Sequence, residues 1–165
     1  MASLLRVLLT TFAVLLLEGT VAARMGIAGM RPDLSLAWVV YAGLLGGRRR
    51  GVLVGLLVGL LHGCLDPEWL GLEALLLAVV GFAAGSTSSG VNRTHPLVPA
   101  TLIFLLLLGH DLVRAFVVAG GDAAAALAQW ARFSIGTALY TALLVPLAVA
   151  LLPLGVRPRG RRGVS

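Results

Sequence analysis

Six apolar runs dominate the chain, separated by short stretches where polar residues, glycine and proline collect. The first, residues 4–23, is interrupted only by Arg6 and Glu18. Two short runs follow, 34–46 and 51–65, divided by Gly46-Gly47-Arg48-Arg49-Arg50. The fourth covers 69–85, the fifth 96–119 and the sixth 133–152. A membrane-spanning helix takes about 20 residues at a rise of about 1.5 Å each. The runs therefore predict an all-α membrane protein, a bundle of six transmembrane helices. The two short runs lie near the lower limit for crossing, so they are expected to borrow flanking residues or to form a tight helical hairpin.

Local signals sharpen the boundaries. Asp33 behind Pro32 reads as a helix start. Gly120-Gly121 breaks the fifth run, and Asp122 is placed to cap a short alanine-rich stretch reaching Trp130, expected to lie along the interface. Pro146 is expected to kink the sixth helix. The first run also resembles a signal peptide, with Arg6 ahead of an apolar core at Val7–Leu17 and Val21-Ala22-Ala23 as a cleavage site. Glu18 between core and site, and the five runs that follow, favour an uncleaved first span. The expectation is one membrane domain, 1–156, with a basic tail at 157–165. The polar loop 86–95 carries a glycosylation sequon, Asn92-Arg93-Thr94, on a side expected to be cytoplasmic, where it would go unmodified.

Composition agrees with this pattern. Of 165 residues, 59% are hydrophobic and 12% charged, against roughly 45–50% and about 25% in soluble domains. Too few polar residues exist to cover a soluble monomer. The single cysteine, Cys64, excludes a disulfide scaffold. Six spans consume about 120 residues, which leaves short loops and no room for a soluble catalytic module.

The net charge of +6 comes from 13 arginines without any lysine. These lie in short loops and the tail, not on a soluble face, which argues for contact with anionic lipid and against nucleic acid. With a cytoplasmic N-terminus, Arg6, Arg48, Arg49, Arg50, Arg93, Arg157, Arg159, Arg161 and Arg162 share one side, and Arg24, Arg31 and Arg132 the other. That bias predicts both termini in the cytoplasm and an even number of spans. Arg48, Arg49 and Arg50 are then candidates for contact with lipid or cytoplasmic partners.

Ionisable residues inside spans carry more information, because charge within a bilayer is expensive. Glu18, His62, Glu73, His110, Asp111 and Arg114 lie within the runs, with Asp66 and Glu68 at a helix end. The predicted topology puts all of them in the outer half of the membrane. They are candidates for an outward-facing polar crevice, or else for local pairs that hold the bundle together, such as Asp111 with Arg114 three residues on.

Glycines recur every fourth residue at Gly47, Gly51, Gly55, Gly59 and Gly63. Such a smooth helix face permits close approach in lipid, either by another span of this chain or by a partner's helix. Gly51, Gly55, Gly59, Gly63 and Asp66 are thus the candidate partner-binding set. His62, Cys64 and Asp66 cannot all ligate one metal, since residues two apart point to different helix faces. His62 and His110 lie at comparable depth, as haem ligands would, but nothing else supports that reading. No catalytic motif is evident, and no metal or cofactor is implied.

Several of these residues form a familiar pattern. Arg31-Pro32-Asp33-Leu34, Val39-Val40-Tyr41, the Gly51/Gly55/Gly59 stripe followed by Leu60 and Asp66, Leu70-Gly71-Leu72, and Val80-Gly81-Phe82 with Gly85 resemble the MreD family of bacterial rod shape-determining membrane proteins. The quoted motifs sit in 31–85, and the second half is similar only in hydropathy. The resemblance implies a non-enzymatic subunit of the cell-wall elongation machinery in the bacterial inner membrane. It implies MreC as partner and, indirectly, MreB and RodA with its transpeptidase. It also implies an architecture similar to the substrate-binding subunits of energy-coupling-factor vitamin transporters. A small-ligand-binding transporter subunit is therefore the alternative expectation, and a small membrane enzyme a third.

Overall fold

The computed structural model describes residues 2–22, 32–64, 67–88 and 97–151. Those residues form five α-helices and no strand: α1 (Ala2–Leu17), α2 (Leu34–Gly63), α3 (Leu70–Thr87), α4 (Leu97–Val118) and α5 (Ala123–Leu151). A π-helical turn, Glu18–Ala22, extends α1, and a 3-10 turn, Pro67–Trp69, leads into α3.

The helix α2 is not a straight rod. Gly47 has φ 77° and ψ −177°, a combination open essentially to glycine alone. A Cβ built on Gly51 would lie 3.0 Å from the Gly43 Cα, whereas eight residues of straight helix span about 12 Å. The chain therefore reverses at Gly47. Arms 34–46 and 48–63 lie side by side, in the tight hairpin the sequence allows.

The first arm is the centre of the molecule. Leu36, Ala37, Val39 and Val40 are almost wholly buried within little more than one helical turn, which surrounds this arm with other elements. Around it pack Val54 and Val58 of the second arm, Leu77, Val80 and Ala84 of α3, Ile103 and Leu107 of α4, and Ala138 and Ala142 of α5. Its start is fixed by Asp33, whose Oδ1 accepts a 2.7 Å hydrogen bond from the Leu36 N–H, the N-cap role expected. Thr11 on α1 accepts from Trp38 Nε1 at 3.1 Å, and Thr141 on α5 accepts from the Asp33 N–H at 3.1 Å. These two buried hydroxyls tie the first and last helices to the central arm.

The second arm packs along α3 through small residues. A Cβ on Gly51 would overlap the Gly81 carbonyl, on Gly55 the Leu77 carbonyl, and on Gly59 the Ala74 backbone. The glycine stripe is thus filled by this chain's own α3. At Gly51, Gly55 and Gly59 the neighbour across the stripe is α3 of the same chain. Gly63 is buried as well, while Asp66 lies outside the described residues.

The pair α4–α5 turns at Gly120 (φ 62°) and Gly121 (φ 89°). Gly121 N–H bonds to the Phe116 carbonyl and Gly120 N–H to that of Val117, the Schellman ending of a helix. Asp122 then caps α5, accepting from the Ala124 and Ala125 N–H groups at 3.0 and 3.2 Å. The alanine-rich stretch is not a separate interfacial helix. It continues without a break into the sixth run, giving a 29-residue α5 that also contains Pro146.

Leucines and other large apolar side chains lie exposed on every helix, among them Leu9, Leu53, Leu75, Leu105 and Leu143. Water would penalise such a surface, whereas lipid matches it. Among the described residues α4 is long and apolar enough to span by itself, with a mean hydropathy of 1.9.

Candidate functional site

The ends of α3 distinguish the two ends of the bundle. Near its C-terminus, Gly85 lies against Gly47 and Arg48, so the arginine turn sits there. Arg48, Arg49 and Arg50 are all exposed, and the Arg48 guanidinium lies 5.8 Å from the centre of the Phe82 ring, within cation–π range. Twelve residues earlier, about 18 Å along the helix, Glu73 opens the other end.

Glu73 is the hub of a charged cluster. His110 and Arg114 stand four apart on α4 and therefore share a face. That face grips both oxygens of Glu73: His110 Nε2 lies 3.3 Å from Oε2, and Arg114 Nε 3.0 Å from Oε1. The opposite ring nitrogen, His110 Nδ1, lies 3.2 Å from Asp111 Oδ1. Glu73 and His110 side chains are each 5% exposed, and that of Arg114 is 43% exposed. The cluster thus runs from a buried pair to a reachable cation. Arg114 pairs with Glu73 across the helix interface, not with Asp111 as its three-residue spacing allowed.

Around this hub the remaining in-span groups converge. Glu18 Oε2 accepts hydrogen bonds from the Ser35 N–H, at 3.1 Å, and from the Ser35 hydroxyl. It also interacts electrostatically with Glu73 and Asp33. His62 reaches Glu73 electrostatically, as His110 and Asp111 reach Asp33. Glu18, His62, Glu73, His110, Asp111 and Arg114 therefore share one end of the bundle. Asp33 belongs with them too, although its position before the second run announced only a helix start.

Both His110 nitrogens face carboxylates, so neither is free to ligate a haem iron. No group of three potential metal-ligating side chains occurs among the described residues.

Beside the cluster opens a cleft of about 340 Å³ between the 3-10 turn, α4 and α5. Asp111 and Arg114 reach it from the charged side, and Trp69, Trp130 and Phe133 supply aromatic walls. Trp130 Nε1 donates to the Leu108 carbonyl at 3.0 Å, which fixes the indole. Trp69 ends the 3-10 turn and Trp130 lies inside α5; neither carries charge, and only the fold reveals that they line one cleft with Arg114.

Comparison with known proteins decides the family. The model of the rod shape-determining protein MreD matches residues 1–153. The chain belongs to the MreD family. MreD proteins are a shape-determining membrane family, so the resemblance seen in 31–85 extends across both halves of the chain. Searches of curated proteins and of solved structures return no match.

Proposed function

We propose that this MreD-family protein is a non-enzymatic scaffold subunit of the cell-wall elongation complex. In this reading it crosses the bacterial inner membrane six times, with both termini in the cytoplasm, and binds MreC. Through MreC it would be linked to MreB and to RodA with its transpeptidase. The family match over residues 1–153 carries the proposal. The Gly47 reversal supports six crossings, since it divides α2 into two antiparallel arms. At about 20 and 24 Å these arms are shorter than a typical hydrocarbon core of about 30 Å. Flanking residues or local thinning would have to make up the difference.

The arginine distribution supports placing the Arg48–Arg50 turn at the cytoplasmic surface, against anionic lipid. The Glu73 cluster then faces outward. With Gly51, Gly55 and Gly59 occupied by α3, the partner would be met at that outer end and along lipid-facing helix surfaces. A bundle knitted by buried charge and glycine contacts suits a scaffold, which must present fixed surfaces to its partners.

The test is depletion in a rod-shaped host, followed by microscopy. Rounded cells support the scaffold. Rods of normal shape with loss of small-molecule uptake would favour the transporter alternative, which draws its support from the 340 Å³ cleft.

A further inference from the structure

We infer that the cleft at the Glu73 end binds a saccharide bearing an oxyanion, its ring against the aromatic walls and its oxyanion on Arg114. This goes beyond the scaffold reading, because it gives the protein a small ligand of its own.

Two clefts of nearly equal size border the α4–α5 pair, and their linings differ. The first, about 340 Å³, is formed by Trp69, Trp130 and Phe133 together with Asp111, Arg114 and Ser134. The second, about 350 Å³, has only Leu112, Val113, Phe116, Ala123, Ala126 and Leu127. An apolar lining of that kind, with one ring and no polar side chain, suits acyl chains and offers no polar handle. The first combines flat rings with a donor fork and an acceptor, as a hydroxylated ring requires. One face of a sugar presents C–H groups to the negative face of an aromatic ring, while its rim needs hydrogen-bond donors and acceptors. Its volume falls at the small end of ligand clefts, roughly 300–1,000 Å³, which suits one sugar with its substituent.

The polar groups are already held in place. Arg114 spends Nε on Glu73, and its two terminal nitrogens bond to no other described residue. A planar fork anchored at one nitrogen, its other two unbonded among the described residues, matches the paired oxygens of a carboxylate or phosphate. Asp111 gives Oδ1 to His110, and its Oδ2 bonds to no described residue, so it can accept from a sugar hydroxyl. The Trp130 indole is pinned through Leu108. A cleft with its anchors fixed before binding loses little side-chain entropy when a ligand arrives.

The test uses the full chain in detergent, in a Trp38→Phe background. Trp38 is bonded to Thr11 and does not line the cleft, so the remaining indoles, Trp69 and Trp130, are both cleft residues. Fluorescence is titrated with glucuronic acid, glucose 1-phosphate, glucose and inorganic phosphate. Saturable quenching is expected with at least one charged sugar, and which one responds separates carboxylate from phosphate. Glucose should bind on the order of tenfold more weakly, for want of a charged hydrogen bond. Inorganic phosphate should give no saturation. Phe133→Ala, at a ring 47% exposed, should weaken binding of the charged sugar. Arg114→Gln should bring charged and neutral sugars to equal affinity. Absence of saturation with either charged sugar, equal affinity for glucose, saturation by inorganic phosphate alone, or unchanged affinity in both variants would each overturn the assignment. The rings would then be interfacial anchors only. MreC co-purification does not depend on these outcomes, so the two readings fail separately.

Discussion

Gly51 and Gly81 meet back to back: a methyl group on either would overlap the other's carbonyl oxygen. Gly43 also approaches the Gly81 carbonyl, so three helical segments converge where no side chain fits. Without a hydrophobic driving force between helices in lipid, this closeness supplies the van der Waals contact that holds them.

Gly51→Ala and Gly81→Ala should therefore each force α2 and α3 apart, at a cost of about 1–3 kcal/mol, the usual range for overpacking. Thermal unfolding in detergent measures it. Leu53→Ala, on an exposed side chain of the same arm, should leave the midpoint nearly unchanged.

Glycines in this chain differ in role. Gly47→Ala places a side chain where φ is 77° and should cost about 1–3 kcal/mol. Gly71 and Gly109 are helical with open space at the Cβ position. Alanine there should be neutral or stabilising by about 0.5–1 kcal/mol. The same unfolding assay compares all three.

Removing the hub should be more damaging than removing its exposed partner. Glu73→Ala leaves His110 buried beside Asp111 alone and Arg114 without its acceptor, and should cost on the order of 3 kcal/mol. Arg114→Gln, at a 43%-exposed side chain, should cost clearly less, because solvent already screens that pair. Circular dichroism melts of both variants give the order.

Thr141→Val keeps the shape of a fully buried residue while deleting the acceptor for the Asp33 N–H. A loss of about 1 kcal/mol is expected. Hydrogen exchange should show faster opening at the start of α2.

Orientation has a built-in reporter. Cys64, the sole cysteine, is exposed at the end of α2 remote from the arginine turn. A membrane-impermeant maleimide should label it in intact spheroplasts. Arg49→Cys in a Cys64→Ser chain should be labelled only after lysis. The reverse pattern would invert the topology.

Much of this architecture is legible in the sequence. The helices follow the apolar runs, because a segment of that length in lipid must satisfy its backbone internally. The Gly47 reversal was open to inspection in Gly-Gly-Arg-Arg-Arg, and the four-residue glycine spacing marked a close-packed face. What spacing along one helix does not reveal is which neighbour a side chain meets. Arg114 has Asp111 three residues away, yet it bonds to Glu73, 41 positions earlier in the chain, because α3 crosses α4 there. The same limit hid Trp69 and Trp130, which line one cleft only because the fold brings the 3-10 turn before α3 to the same end of the bundle as α5. The interfacial helix expected at 123–130 fails for a local reason: alanine propagates helix well, and nothing between Trp130 and Phe133 stops it.

In the proposed role this chain holds a partner, MreC, in the membrane. The most direct measurement is capture of the tagged chain from detergent-solubilised membranes of its host, with MreC quantified against an unrelated multi-pass protein carrying the same tag. Enrichment of MreC with this chain and not with the control is the predicted result. Equal MreC in both captures would contradict the account.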